Sequence, residues 1–94
     1  MRYKVYYDKT LKMSPEKLAS QVGHITLNLG SQLGGRINNP LKQTIIVLGL
    51  NHSKFNKVLD QVADNTSVCE YHIQKDLGLT EVESGTITAF GYIE

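Results

Sequence analysis

The sequence predicts an α/β domain with a four-stranded mixed β-sheet and helices packed on it, in a two-layer or three-layer sandwich. Strand-like runs alternate along the chain with segments of helical period. The helical segments begin at residues that cap helices well. A chain of 94 residues is also long enough to bury one core without disulfides or metals. We therefore expect a single domain over residues 1–94.

The first strand and the first helix are well delimited. The run 3–7 is rich in β-formers and predicts strand one. In the helix that follows, Ser14 fits the N-cap, Pro15 the first helical position and Gly30 the exit. Apolar residues recur at i, i+4, i+7 and i+11, which predicts the face turned toward the core: Leu18, Val22, Ile25 and Leu29.

A connector, a second strand and a second helix follow. Residues 30–43 contain Gly, Asn and Pro without a sustained period, so we expect an irregular connector there. The run 44–50 is apolar on both faces, as in a central strand that is covered on both sides. Residues 53–64 predict a helix capped by Asn51 or Ser53. Its core-facing residues at helical spacing are Phe55, Val58, Leu59 and Val62.

The chain closes with two strands. Residues 67–73 alternate between two faces and predict a half-exposed strand. Residues 86–94 predict the last strand, with Gly91 as a candidate bulge. The expected order is therefore strand, helix, connector, strand, helix, strand, strand.

Composition limits the function classes. The net charge is only +1, with acids and bases mixed along the chain, so any basic surface must be local. The single cysteine cannot form an internal disulfide, and no apolar run of membrane length or secretory leader is seen, which predicts a cytoplasmic protein. The histidines and Cys69 lack metal-ligand spacing, so no metal is expected. We reject a Cys69–His72 nucleophile pair, because the two positions face opposite sides of a strand.

The first helix carries a second stripe beside the apolar one. Lys17, Gln21, His24 and Asn28 also recur at i, i+4, i+7 and i+11. A solvated face is the simpler interpretation. However, Lys17 lies in the first turn, where a cation opposes the helix macrodipole by about 0.3–1 kcal/mol. A lysine at this position could serve a phosphate or a developing oxyanion that the helix N-terminus also attracts.

Two separated segments resemble the signatures of the type-2 peptidyl-tRNA hydrolases. They read LKMSPEKLASQVGH at residues 11–24 and DLGLTEVESGTIT at residues 76–88. The strands and helices between them follow in the family's order, so the resemblance covers nearly the whole chain. The matching positions in the first segment are Leu11, Met13, Lys17, Ala19, Gln21 and His24. Those in the second segment are Asp76, Gly78, Thr80, Val82, Gly85 and Thr86.

The resemblance implies a hydrolase, often dimeric and without a cofactor, that cleaves the ester between a peptide and the 3′ end of tRNA. It makes Lys17, Asp76 and Thr80 the candidate catalytic residues. Asp76 would orient or deprotonate water, while Lys17 and Thr80 would stabilise charge on oxygen. Further residues would support the site or bind substrate: Gln21, His24 and Thr86. The long segment 75–86 would then present Asp76 and Thr80 beside the start of helix one.

A second function class stays open. Asp76 alone also fits a residue that caps a turn before glycine, and Thr80 fits an ordinary turn hydroxyl. The chain departs from the family pattern at Tyr7, Thr10 and Glu16, and its connector is short. These departures are compatible with a non-catalytic binding or regulatory module that keeps the fold.

Overall fold

The computed structural model of the protein describes residues 2–33, 43–64, 70–76 and 85–94. The predicted order of strands and helices is confirmed, and a short 3₁₀ turn that the sequence did not predict follows the first strand. The elements are β1 (Arg2–Asp8), the 3₁₀ turn (Lys9–Leu11), α1 (Pro15–Leu33), β2 (Thr44–Leu50), α2 (His52–Asp64), β3 (Tyr71–Lys75) and β4 (Ile87–Ile93).

The four strands form one mixed sheet in the order β2-β1-β4-β3. β2 pairs parallel to β1, and β4 runs antiparallel to both β1 and β3. β1, β2 and β3 therefore point in the same direction. Their last residues, Asp8, Leu50 and Lys75, mark one side of the sheet, which we call the carboxyl edge.

The two helices cover opposite faces of the sheet, so the sandwich has three layers. On one face, Ile25 and Leu29 of α1 pack with Tyr3 and Val5 of β1 and with Ala89. On the other face, α2 packs against β1, β4 and β3 in a second core, which contains Phe55, Leu59, Val62 and Phe90. The predicted packing faces are confirmed, although Leu18, Val22 and Val58 are only half-buried.

The prediction that residues 44–50 form a central, doubly covered strand is wrong. β2 has the predicted bounds, but it lies at an edge of the sheet. Ile45, Val47 and Leu48 are 52%, 40% and 42% exposed. An apolar run reports the chemistry of the side chains, whereas the covering of a strand depends on sheet order, which is a non-local property.

Two element boundaries also differ from prediction. α1 continues past Gly30 to Leu33, because Leu33 extends the apolar stripe one turn beyond Leu29 and is itself buried. β3 spans Tyr71–Lys75, so it ends two residues later than predicted and does not include Glu70, whereas residues 67–69 of the predicted strand lie outside the described residues. Residues 34–42 of the predicted connector lie outside the described residues, and so does Cys69.

The bulge in β4 lies three residues before the predicted position at Gly91. Pairing with β3 passes from Gln74 opposite Ala89 to Lys75 opposite Ile87, so Thr88 is the extra residue. Gly91 serves a different purpose. A Cβ atom at Gly91 would lie 2.6 Å from Cγ2 of Ile25 and 3.0 Å from the Lys4 carbonyl oxygen. The absence of a side chain there lets α1 approach the sheet.

We predict that Gly91→Ala lowers the free energy of unfolding by about 1–3 kcal/mol, because the added methyl group must displace Ile25 or the β1 backbone. Gly23→Ala is the matched control. Its Cβ would meet nothing within 4 Å on α1, so it should raise stability by about 0.5–1 kcal/mol through helix propensity. Urea unfolding of both variants measures this difference, and equal effects of the two substitutions would refute the close-approach account.

Candidate active site

The start of α1 places Lys17 at the carboxyl edge of the sheet. Ser14 is the N-cap, as predicted: its Oγ accepts the backbone N–H of Lys17 at 3.1 Å, and its carbonyl accepts the N–H of Leu18 at 2.9 Å. Since α1 follows β1 after a short turn, its first turn lies where β1 ends. Lys17 therefore lies at the positive end of the helix dipole.

Lys17 meets Asp76, the residue that directly follows β3. The ammonium Nζ donates a hydrogen bond to Oδ1 of the carboxylate. Both side chains are largely removed from water, with 10% of Lys17 and 3% of Asp76 exposed. A buried ion pair of this kind is lost at high cost when one partner is removed, because the other charge stays buried. Two of the predicted catalytic residues are thus in direct contact.

The backbone of Asp76 is held by hydrogen bonds to the two residues that directly precede β4. The Asp76 N–H donates to the Thr86 carbonyl at 2.9 Å, and the Gly85 N–H donates to the Asp76 carbonyl at 2.7 Å. Gly85 has a φ of 85°, which glycine adopts without strain. These bonds fix Asp76 relative to β4. Thr80, the third predicted catalytic residue, lies outside the described residues, so its position stays a prediction.

The second stripe of α1 is divided between the interior and the solvent. Gln21, one turn after Lys17, is only 3% exposed, and its Oε1 accepts the hydroxyl of Thr88 at 2.6 Å. The bulge turns Thr88 toward α1, which no sequence pattern indicated. His24 and Asn28 are exposed, and the Asn28 amide donates to the His24 carbonyl at 2.9 Å. The solvated-face interpretation thus holds for only half of the stripe.

A second buried carboxylate lies at the carboxyl edge and was not predicted. Asp8, the last residue of β1, is 1% exposed. His52 Nδ1 donates to its Oδ2 at 2.6 Å, and the Thr10 N–H donates to its Oδ1 at 3.1 Å. Burial raises the pKa of Asp8, but hydrogen bonds from His52 and Thr10 outweigh burial, so this pKa lies below its ordinary value.

The two carboxylates form separate sites. β4 lies between β1 and β3, so the strand ends that carry Asp8 and Asp76 are about 10 Å apart. The sequence held a signal for the Asp8–His52 contact: the two residues follow adjacent parallel strands, whose carboxyl ends meet. Within the described ranges, no three acidic, histidine or cysteine side chains cluster as metal ligands, and no helix has the length and apolarity to cross a membrane.

Comparison with known proteins agrees with the two sequence motifs. The family model described as "Peptidyl-tRNA hydrolase PTH2" matches residues 4–93. A Caenorhabditis elegans protein named "Probable peptidyl-tRNA hydrolase 2" is 30% identical over an aligned length of 92, and the match covers 87% of this chain. The chain spans only 28% of the length of that relative.

We predict that the Asp8 contacts make stability depend on pH in acid. Because the pKa of Asp8 is lowered on folding, its carboxylate stabilises the folded state above the unfolded pKa, and this contribution is lost as pH falls through the folded pKa. Asp8→Asn should therefore reduce the free energy of unfolding at pH 7 by about 1–3 kcal/mol. The difference from wild type should shrink as pH falls below 3.8, the ordinary value. Urea unfolding across pH measures it, and a constant difference would contradict the prediction.

Proposed function

The chain belongs to the peptidyl-tRNA hydrolase PTH2 family, and on that premise we propose that it hydrolyses the ester joining a peptide to the 3′ end of tRNA. The observation that carries the proposal is the buried contact between Lys17 and Asp76 at the carboxyl edge. Ester hydrolysis needs a group that activates water and a group that stabilises charge on oxygen. The carboxylate and the ammonium supply these two groups in one place.

In the proposed reaction, Asp76 orients a water molecule and accepts its proton as the water oxygen attacks the ester carbonyl. Lys17 holds the carboxylate through Oδ1 and lies close enough to stabilise the oxyanion that forms. Collapse of that intermediate breaks the bond to the ribose oxygen, which leaves with a proton as the tRNA hydroxyl. The role of Thr80 as a second donor to the oxyanion rests on the motif match alone.

The remaining candidate residues have supporting roles in the proposal. Gln21 and Thr88 hold α1 against β4 next to Lys17, so they fix the direction from which the ammonium approaches. The Thr86 carbonyl holds the backbone of Asp76. His24 is exposed on the same helix and is available to contact substrate. No cofactor enters this reaction, and the proposed domain spans residues 1–94.

One observation favours the alternative of a binding module without turnover. Lys17 and Asp76 already neutralise each other in the protein alone, as a purely structural ion pair would. In that case the contact stabilises the fold, and the family's substrate is bound but not cleaved. Kinetics of the two residues distinguish the alternatives.

We predict that Lys17→Ala lowers kcat for peptidyl-tRNA by about two to four orders of magnitude, because a positioned charge is lost. Asp76→Asn should have a similar effect while nearly conserving volume. The double variant should be little slower than either single variant, since residues that act as a unit are non-additive. Single-turnover ester cleavage measures all of these rates.

Arg2→Ala is the control for the loss of a cation. Arg2 forms an exposed ion pair with Glu94 at 2.9 Å, at the opposite end of β1 from the site. Its removal should change stability by at most about 1 kcal/mol and leave kcat unchanged. Circular dichroism checks that each variant folds. A wild type without turnover supports the binding module, and a fully active Lys17→Ala removes the catalytic assignment.

We also propose that the protein works as a homodimer in the cytoplasm, where translation produces this substrate. Support for the dimer comes from β2, an edge strand whose Ile45, Val47 and Leu48 are exposed. An uncovered apolar edge strand readily pairs with another chain, and two copies related by a two-fold axis would cover each other's β2.

We predict a homodimer at micromolar concentration, which Ile45→Lys should dissociate because it places a charge on the apolar edge. Sedimentation measures the mass relative to the 10.5 kDa chain. Tyr71→Lys is the matched control: Tyr71 is 41% exposed on β3, at the other edge of the sheet, so the dimer should persist. A wild type that sediments only as monomer would overturn the dimer, and a dimer that Ile45→Lys leaves intact would overturn its assignment to β2.

A further inference from the structure

The described cations fall into two groups by position and pairing. At the start of β1, Arg2 and Lys4 pair with Glu94 at 2.9 and 3.8 Å. At the carboxyl edge, Lys17 is paired with Asp76. The other cations at this edge are exposed and make no ion pair within the described part of the chain: Lys9, Lys12, Lys54, Lys57 and Lys75.

The carboxylates are distributed in the opposite way. At the carboxyl edge, Asp8 and Asp76 are buried in contacts with His52 and Lys17, so among the described acids there only Glu16 is exposed. The other four described acids lie toward the opposite end: Asp60, Asp64, Glu70 and Glu94. Among the described residues, the carboxyl edge therefore carries more exposed cations than exposed carboxylates, although the net charge of the chain is only +1.

The charged residues of α2 are placed so that they oppose its macrodipole, which destabilises the helix. Lys54 lies in its first turn and Lys57 in its second, whereas Asp60 and Asp64 lie in its C-terminal half. Cations near the N-terminus and anions near the C-terminus both oppose the macrodipole. Folding alone gives no reason for this arrangement, but attraction of a polyanion does, because the lysines and the helix N-terminus then act in the same direction.

Lys54 and Lys57, in the first two turns of α2, line the same hollow. The contact between Asp8 and His52 joins the residue before Lys9 to the first residue of α2 at 2.6 Å. The His52 side chain is 67% exposed between the two elements. We call Lys54 and Lys57, together with the polar residues that line the same hollow, the lysine surface.

We propose that the lysine surface binds the phosphate backbone of RNA and thereby holds the tRNA part of the substrate. This inference rests on the proposed function. The surface lies on the α2 side of the carboxyl edge and Lys17 on the α1 side, and β1 and β3 are about 10 Å apart. An RNA docked on the lysine surface would lie at the same edge of the sheet as Asp76.

The chemistry of the surface favours RNA over an acidic protein. The hollow beside Lys54 and Lys57, about 530 Å³, is lined mainly by polar side chains, with Asn51, Ser53 and Gln61 among them. Lysine, hydroxyl and amide groups are the usual partners of phosphate and ribose. Protein interfaces, by contrast, are centred on apolar and aromatic residues, whereas Val58 is the only apolar one among the described residues that line this hollow.

The test is the binding of deacylated tRNA to Lys54→Gln/Lys57→Gln across a salt series. Affinity at low salt should fall about tenfold, and the slope of log K against log salt should fall by about one for each lysine. The melting temperature should not fall, because both substitutions relieve the conflict with the macrodipole. Arg2→Gln/Lys4→Gln is the matched control, since it removes the same charge from the other end of the sheet and should leave the slope unchanged.

Equal losses in both double variants would show a non-specific effect of net charge and overturn the proposal, as would unchanged binding in Lys54→Gln/Lys57→Gln. Competition by polyglutamate as strong as that by RNA of equal charge would assign the surface to an acidic protein instead. The binding assay needs no ester, so a protein that binds RNA through these lysines but cleaves nothing refutes only the hydrolase. A protein that cleaves a blocked aminoacyl-adenosine ester but binds tRNA independently of the lysines refutes only the surface.

Discussion

The ion pair between Lys17 and Asp76 is the interaction on which the site and much of the fold depend. It joins the first turn of α1 to the end of β3, two elements that are 59 residues apart in the chain at this contact. Both charges are largely removed from water, so each needs the other. α1 therefore cannot shift along the sheet without breaking this buried ion pair. The residues that would perform the chemistry also fix the position of the helix that carries one of them.

The direction of the strands explains why the functional groups gather at one side of the molecule. β4, the last strand in sequence, inserts antiparallel between β1 and β3, so the other three strands run the same way. Asp8 and Asp76 lie at or just after the ends of two of them, and His52 and Lys17 lie in the first turns of the two helices. Open α/β sheets bind ligands outside the carboxyl ends of their strands for this reason.

Local chemistry was readable in the sequence, and non-local arrangement was not. Ser14 was predicted as the cap of α1, and Asn51 or Ser53 as the cap of α2; Ser14 and Asn51 accept backbone N–H groups as such residues do. The pairing of Lys17 with Asp76 was predicted only through the resemblance of two motifs. The edge position of β2 and the bulge at Thr88 depend on which strands pair and in which register. The Asp8–His52 contact likewise needs the knowledge that β1 and β2 are neighbours.

The two helices start in the same way, and this similarity relates the proposed catalytic lysine to a lysine of the proposed RNA-binding surface. In each helix the N-cap side chain accepts the N–H of a lysine at the third helical position: Ser14 and Lys17 in α1, Asn51 and Lys54 in α2. Both lysines therefore add their charge to the positive end of a helix at the same edge of the sheet. They differ in what opposes that charge. Lys17 is held by Asp76, so its ammonium is fixed in place for chemistry at one atom, whereas the exposed Lys54 has no ionic partner among the described residues. An ammonium without a counter-charge exerts its field on the solvent, through which the proposed polyanionic substrate would approach. In the proposals made above, Lys17 therefore serves for positioning and Lys54 for attraction.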